Sequence, residues 1–238
     1  MKKFVIGLVL LNAWAMAFAQ KNEGVITFEE KVNMHKMIKD EAVKAMVPEF
    51  RSSKMELYFR GDECLYKASE DDDEAEQGGG GGGRMMMRRP QTEVYRNFAT
   101  EQRVVQQEGL GKKYLIEDSI KMLPWKLMGE TKKVLSYNCI KATYNDTTRK
   151  QNITAWFTED IALTAGPSRY GSLPGMILAV DINDGEMMWT ATKVDFKKIK
   201  DEEIKVPSKG EKITDAEFRK KMDEFRQKNG GNVRIMRN

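Results

Sequence analysis

A chain of 238 residues with 40 basic and 36 acidic side chains carries a formal net charge of only +4, too even a balance to argue for a nucleic-acid surface. Its single histidine removes zinc sites built on several histidines, and any nucleophile–histidine pair would have to use His35. The length suits one domain with extensions and a real core.

Lys2 and Lys3 precede the apolar run from Phe4 to Trp14, and Ala17-Phe18-Ala19 follows with the small-x-small spacing of a cleavage site. Residues 1–19 are therefore expected to be a signal peptide cleaved near Ala19–Gln20. The mature chain is expected to be exported, periplasmic or secreted, with no transmembrane segment after cleavage, because no later stretch approaches 18 apolar residues.

Residues 24–34 are rich in β-branched and aromatic side chains and read as a first strand. The stretch 39–50 reads as a short helix or loop stopped at Pro48. Met55, Leu57 and Phe59 alternate with Glu56, Tyr58 and Arg60, and Gly61-Asp62 turns the chain into "ECLYKA", which predicts a hairpin. Residues 69–91 break the pattern with an acidic run, six consecutive glycines and the cluster Met85, Met86 and Met87, and are expected to form a disordered insert loop. Strand patterns resume in "TEVYRNF", "QRVVQQE" and "KKYLIED", then in "KVLSYNCIKATYN" and "NITAWFTED", and last in "GMILAVDI" and "MMWTATKVDF". Asn183-Asp184-Gly185 joins the last two as a hairpin turn. The expectation is a mainly β (α+β) fold: a curved antiparallel sheet or half-barrel of about nine or ten strands. Thr214 and Glu217 form a capping box before Phe218, Met222 and Phe225, so an amphipathic helix ending at Gly230 closes the chain. The domain reading is a β domain over 20–206 and a C-terminal helical extension over 207–238.

The stretch "AGPSRYGSLPGMILAVD" (165–181) places three glycines and two prolines before an apolar strand. It lacks G-x-G-x-x-G and Gly-Lys-Ser/Thr, and a strand follows where a phosphate loop would need a helix. Leu173-Pro174-Gly175-Met176 predicts a type II turn with positive φ at Gly175, so the stretch reads as scaffold.

At these residues the sequence resembles the GLPGLI family, secreted proteins of certain Gram-negative bacteria. "SLPGMI" (Ser172, Leu173, Pro174, Gly175, Met176, Ile177), preceded by Gly166-Pro167, is similar to the family hallmark, with Ser172 standing for glycine and Met176 for leucine. Trp125, Lys126, Leu127, Glu130, Lys132, Tyr137, Cys139, Lys141 and Ala142 resemble a second block, and the stretch around Trp156 a third. The resemblance spans roughly residues 23–200 and implies no catalytic or ligand-binding residues. The hairpin succession also looks like the half-open barrels of periplasmic lipoprotein carriers, a likeness of fold only.

No catalytic constellation is visible and no cofactor is expected. Met34, His35 and Met37 are weak candidates for a soft metal such as copper(I), although strand alternation would put Met34 on the opposite face from the other two. "DINDGE" resembles a calcium loop, but its glycine comes one position early, so a hairpin turn is preferred. Cys64 and Cys139 could be bridged in an oxidising compartment, or each could be a small buried strand residue. The preferred function is a non-enzymatic binding module, offering an apolar concave face to a lipid-like or peptide ligand or to an outer-membrane or envelope partner, with no nucleic acid. The alternatives are a copper-handling protein and a structural or assembly factor.

Overall fold

The computed structural model describes residues 22–38, 40–70 and 91–228. The predicted signal peptide, most of the acidic and glycine-rich insert with Met85, Met86 and Met87, and Gly230 lie outside the described residues.

Two antiparallel meanders make up the sheet. The first runs through β1 (Glu23–Asn33), β2 (Phe50–Arg60), β3 (Glu63–Ala68), β4 (Thr92–Asn97), β5 (Gln102–Gly109) and β6 (Lys112–Ser119). The second runs through β7 (Lys126–Val134), β8 (Tyr137–Asp146), β9 (Gln151–Thr158), β10 (Met176–Ile182) and β11 (Met187–Asp195). Antiparallel pairing of β1 with β11, from Val25↔Asp195 to Val32↔Met187, welds the two into one open sheet. A two-residue strand, β12 (Glu211–Lys212), adds in parallel to β6 and completes twelve strands. Short helices α1 (Met34–Met37) and α2 (Glu41–Lys44) link β1 to β2, and α3 (Asp215–Lys228) follows β12.

The mainly β architecture with a C-terminal helix is as the alternation predicts, with two more strands. β7 escaped notice because it is a charged edge strand, exposed along most of its length, with no buried face to impose alternation. β12 has too few residues to carry a pattern.

Alternation also fails across β3 to β6, for a different reason. Cys64-Leu65-Tyr66, Val94-Tyr95-Arg96 and Tyr114-Leu115-Ile116 are each buried without interruption. One face, with Ile26, Phe28, Leu57 and Val105, packs into the main core. The other face, with Val25, Leu65, Tyr95 and Val104, is covered by Ile199 and Ile204 from the segment after β11. A sheet buried on both faces has no polar side to alternate with. The inner face also carries an acid: Glu30 lies between Phe28 and Val32, and the Trp189 indole N–H donates to its carboxylate at 2.7 Å.

The helix α3 starts on the predicted capping box. The Thr214 backbone N–H and hydroxyl donate to Glu217, whose own N–H donates back to Thr214 Oγ1 at 3.2 Å. Phe218 and Met222 enter the main core, with the Phe218 ring edge-on to Tyr114 at 5.3 Å. Phe225, expected on the same stripe, stays 39% exposed. The helix therefore docks on its own sheet and covers apolar surface that the sequence reading left open for a ligand. Replacing Phe218 by alanine should cost about 3 kcal/mol in urea unfolding and make α3 the first site of limited proteolysis.

Candidate functional site

Between β9 and β10 the chain makes a loop of seventeen residues that is mostly buried. A buried loop must find internal partners for its backbone polar groups. Arg96 supplies three of them. Its Nη1 donates to the Tyr170 carbonyl at 2.7 Å, and its Nη2 donates to Gly166 at 2.9 Å and Ser168 at 2.6 Å. From the other side, the Trp125 indole N–H donates to the Gly171 carbonyl at 2.8 Å, and its ring meets Tyr144 and Tyr170. Gly171 has to be small: a Cβ there would lie 2.9 Å from the Thr164 carbonyl oxygen and 3.1 Å from Arg96 Nη1.

The predicted Pro-Gly turn takes another form. Gly175 has positive φ as expected, but at +145°, beyond the type II value. Its N–H donates to the Leu173 carbonyl, a three-residue closure, while Met176 and Ile177 bond to Ile161 and Ala165. The reason is contact with β9, since a Cβ on Gly175 would stand 2.1 Å from the Thr158 carbonyl oxygen. Ser172 itself sits at φ +67°, a strained position for a residue with a side chain.

The scaffold reading of the loop is incomplete, because its underside walls a pocket of about 170 Å³. Six cations line it: Arg96 on β4, Arg103 on β5, Lys121 after β6, Arg149 in the β8–β9 turn, Arg169 on the loop and Arg219 on α3. Asp215 is the only carboxylate among the described residues that line it. Three of the six cations have carboxylate partners: Lys121 with Asp118 at 2.7 Å, Arg149 with Asp146 at 3.1 Å and Arg219 with Asp215 at 2.9 Å. Among the described residues, Arg96, Arg103 and Arg169 have none. Arg103 makes no hydrogen bond to any described residue, while Arg169 donates through Nη2 to Gln151 and to the Tyr170 hydroxyl. The Arg169 Nη1 and Arg96 Nε are shut off from solvent without a partner.

Burial lowers the pKa of Arg103 and of Arg169; Arg96 pushes Arg103 the same way while Asp215 and Asp118 oppose it, and for Arg169 the neighbouring Tyr170 and Asp146 oppose what burial and Arg149 do. Burial alone would raise the Asp146 pKa, but the backbone N–H and guanidinium of Arg149 outweigh it and hold the carboxyl below its usual range. Arg96 and Arg103 face each other directly across β4 and β5, and Arg103 faces Asp118 across β6. Like charges opposed across strands destabilise a sheet. The arrangement can bind and neutralise an anion. It brings together no acid–base pair of the kind that moves protons.

The residues singled out from the sequence go elsewhere. Met34, His35 and Met37 lie in the helical turn α1, not in a strand. Met34 and Met37 lean on the main core, and His35 Nε2–H donates to the Val47 carbonyl at 3.0 Å. The bridge left open between Cys64 and Cys139 is not formed, and burial raises the pKa of both thiols. The two strands, β3 and β8, stand six positions apart in the sheet order. Tyr137 and Trp156 pack from β8 and β9 against the core, with Lys132 Nζ 4.4 Å from the Trp156 ring centre. Asn183, Asp184 and Gly185 all have positive φ, and the Glu186 N–H closes on the Ile182 carbonyl at 2.9 Å, so this stretch is a hairpin loop as read. None of these touches the arginine pocket. Gly171 and Ser172 of the Pro-Gly stretch do.

With the fold and the pocket in view, comparison with known proteins is informative. The family model described as "N-glycanase peptide, N-terminal domain" matches residues 90–220, more than half of the chain. This chain belongs to that family. Two solved structures of PNGF-II, in P21 and C2 space groups, share the fold at 16% identity, with TM-scores of 0.59 and 0.58. Each covers 86% of this chain, while this chain spans only 34% and 33% of theirs, about a third of their length. No curated protein matches. The resemblance to the GLPGLI family is thereby corrected. The matched span contains Trp125, Tyr137, Cys139, Trp156 and the Pro174-Gly175 bend, and these residues serve packing and backbone geometry, as the contacts above describe.

Two outcomes follow from the loop. Ser172→Gly should raise stability by about 0.5–1 kcal/mol, the relief of left-handed strain less the added freedom of the unfolded chain, measurable in urea. Arg96→Met, which strands three buried carbonyls, should cost more than about 3 kcal/mol in the same measurement.

Proposed function

We propose that this chain is a non-catalytic recognition domain, exported, whose ligand is anionic and is held in the arginine pocket. One observation carries the reading: three guanidiniums line a single cavity, and among the described residues none of them has a carboxylate within ion-pair distance. Enclosing cations without a close counter-charge is costly, so three at one place are an arrangement that a bound anion would relieve. An apolar ligand on the inner face of the sheet is disfavoured because Phe218 and Met222 of α3 already pack into the main core there. Copper held by Met34, His35 and Met37 is disfavoured by the packing and hydrogen-bond roles those side chains already have. The family's printed name concerns an N-glycanase, which makes a carbohydrate the first carrier of negative charge to test on this chain.

The test is retention on arrays of neutral and acidic glycans at low and high salt. Acidic glycans should be held and released as salt rises, because screening weakens charge pairing at a partly exposed site. An Arg103→Met/Arg169→Met double variant should lose them. The chain alone should release no glycan from a denatured glycoprotein. Neutral glycans held as well as acidic ones, or glycan release by the chain, would sink the proposal.

A further inference from the structure

We infer that the group seated in the arginine pocket is a tetrahedral oxyanion, the phosphoryl or sulfuryl end of a sugar monoester whose ring lies in the adjoining groove beside α3. The inference rests on the reading of the pocket as the ligand site and names what that site takes.

The donors select the shape of the anion. A carboxylate offers about four acceptor positions, all in one plane, whereas a phosphoryl or sulfuryl group spreads its oxygens in three dimensions and can use donors from more guanidiniums. Here they approach from three separate elements: Arg96 from β4, Arg103 from β5 and Arg169 from the β9–β10 loop. Donors that surround a point from several sides match an acceptor whose oxygens also point several ways. The charge agrees. Once the three ion pairs are set aside, three positive charges remain for a group carrying one or two negative ones.

Two of the three guanidiniums have fixed positions: three loop carbonyls hold the Arg96 head, and Gln151 and the Tyr170 hydroxyl hold Arg169 through its Nη2. Both guanidiniums are thus held in place before any ligand arrives, which lowers the ordering cost of binding. Arg103, with no hydrogen bond to a described residue, supplies a third fork.

Size separates an ester from a free ion. The pocket, at about 170 Å³, suits a compact group, and beside it lies an open groove of about 560 Å³ that shares Arg149 and Arg219 with it. Thr148, Ala216, Lys220, Asp223, Glu224 and Gln227 complete that groove. Polar side chains of both signs, with amide and hydroxyl groups among them, suit the hydroxyls of a sugar ring.

The experiment is calorimetric titration of the full chain with glucose 6-phosphate, N-acetylglucosamine 6-sulfate, inorganic phosphate, glucuronate and N-acetylglucosamine. Either ester should bind at least tenfold more tightly than inorganic phosphate and glucuronate, with no heat from the neutral sugar. Arg103→Met and Arg169→Met should each weaken ester binding at least tenfold, and Arg103→Met, which breaks no hydrogen bond to a described residue, should do so without lowering the ligand-free melting temperature. Asp215→Asn, which removes the lining carboxylate, should tighten it, and this keeps the test open if an arginine variant fails to fold. Glucuronate binding as tightly as the esters would overturn the tetrahedral anion while leaving the anionic-ligand reading intact. Inorganic phosphate binding as tightly as the esters would overturn the sugar. Silence from every anion, in a chain with normal circular dichroism, would remove both.

Discussion

The molecule depends on one exchange of hydrogen bonds, that between the Arg96 guanidinium and the carbonyls of Gly166, Ser168 and Tyr170. The β9–β10 loop is long, rich in glycine and proline and largely out of water, so it has no ladder of its own to satisfy its backbone. A planar guanidinium, with five donors in a fixed fork, can serve three carbonyls from one place. It could be buried there because those carbonyls replace much of the water it gives up. Gly171 is required for the same reason, as any Cβ would press on the guanidinium.

Fixing the loop this way has a second effect. The loop cannot be pinned without bringing a positive charge inside, and the register of β4 with β5 then sets Arg103 beside it. The loop adds Arg169 from above. A structural solution and a concentration of charge therefore come from the same residues. The even balance of charge over the whole chain conceals this, because the excess is local to one cavity.

Much of the sheet was legible because one buried face enforces a period of two. Ile153, Ala155 and Phe157 alternate inward along β9, and the capping box of α3 is intact. Legibility failed where that physics was absent. β7 has little to bury, and β3 to β6 bury both faces. The pocket was not read because its cations lie at positions 96, 103, 121, 149, 169 and 219, which only the fold brings together. A signal was nonetheless present. Arg96 stands two residues from Val94, Arg103 two from Val105 and Asp118 two from Ile116, so all three share the inward face of a core sheet. Ionic side chains on a face that should be apolar were the clue, and strand propensity alone passes over it. The six-residue "SLPGMI" stretch drew attention instead, yet its conformation follows from Gly175 lying against Thr158.

The seam between β1 and β11 bears on how the chain matures. The first strand of the first meander lies beside the last strand of the second, so its outer backbone groups stay unbonded until residues 187–195 have been made. Contacts so far apart in sequence are slow to form, and a strand edge waiting for its partner invites pairing with another chain. The polypeptide must therefore pass through synthesis with its central strand half-dressed, and assembly of the sheet is an event of the finished chain.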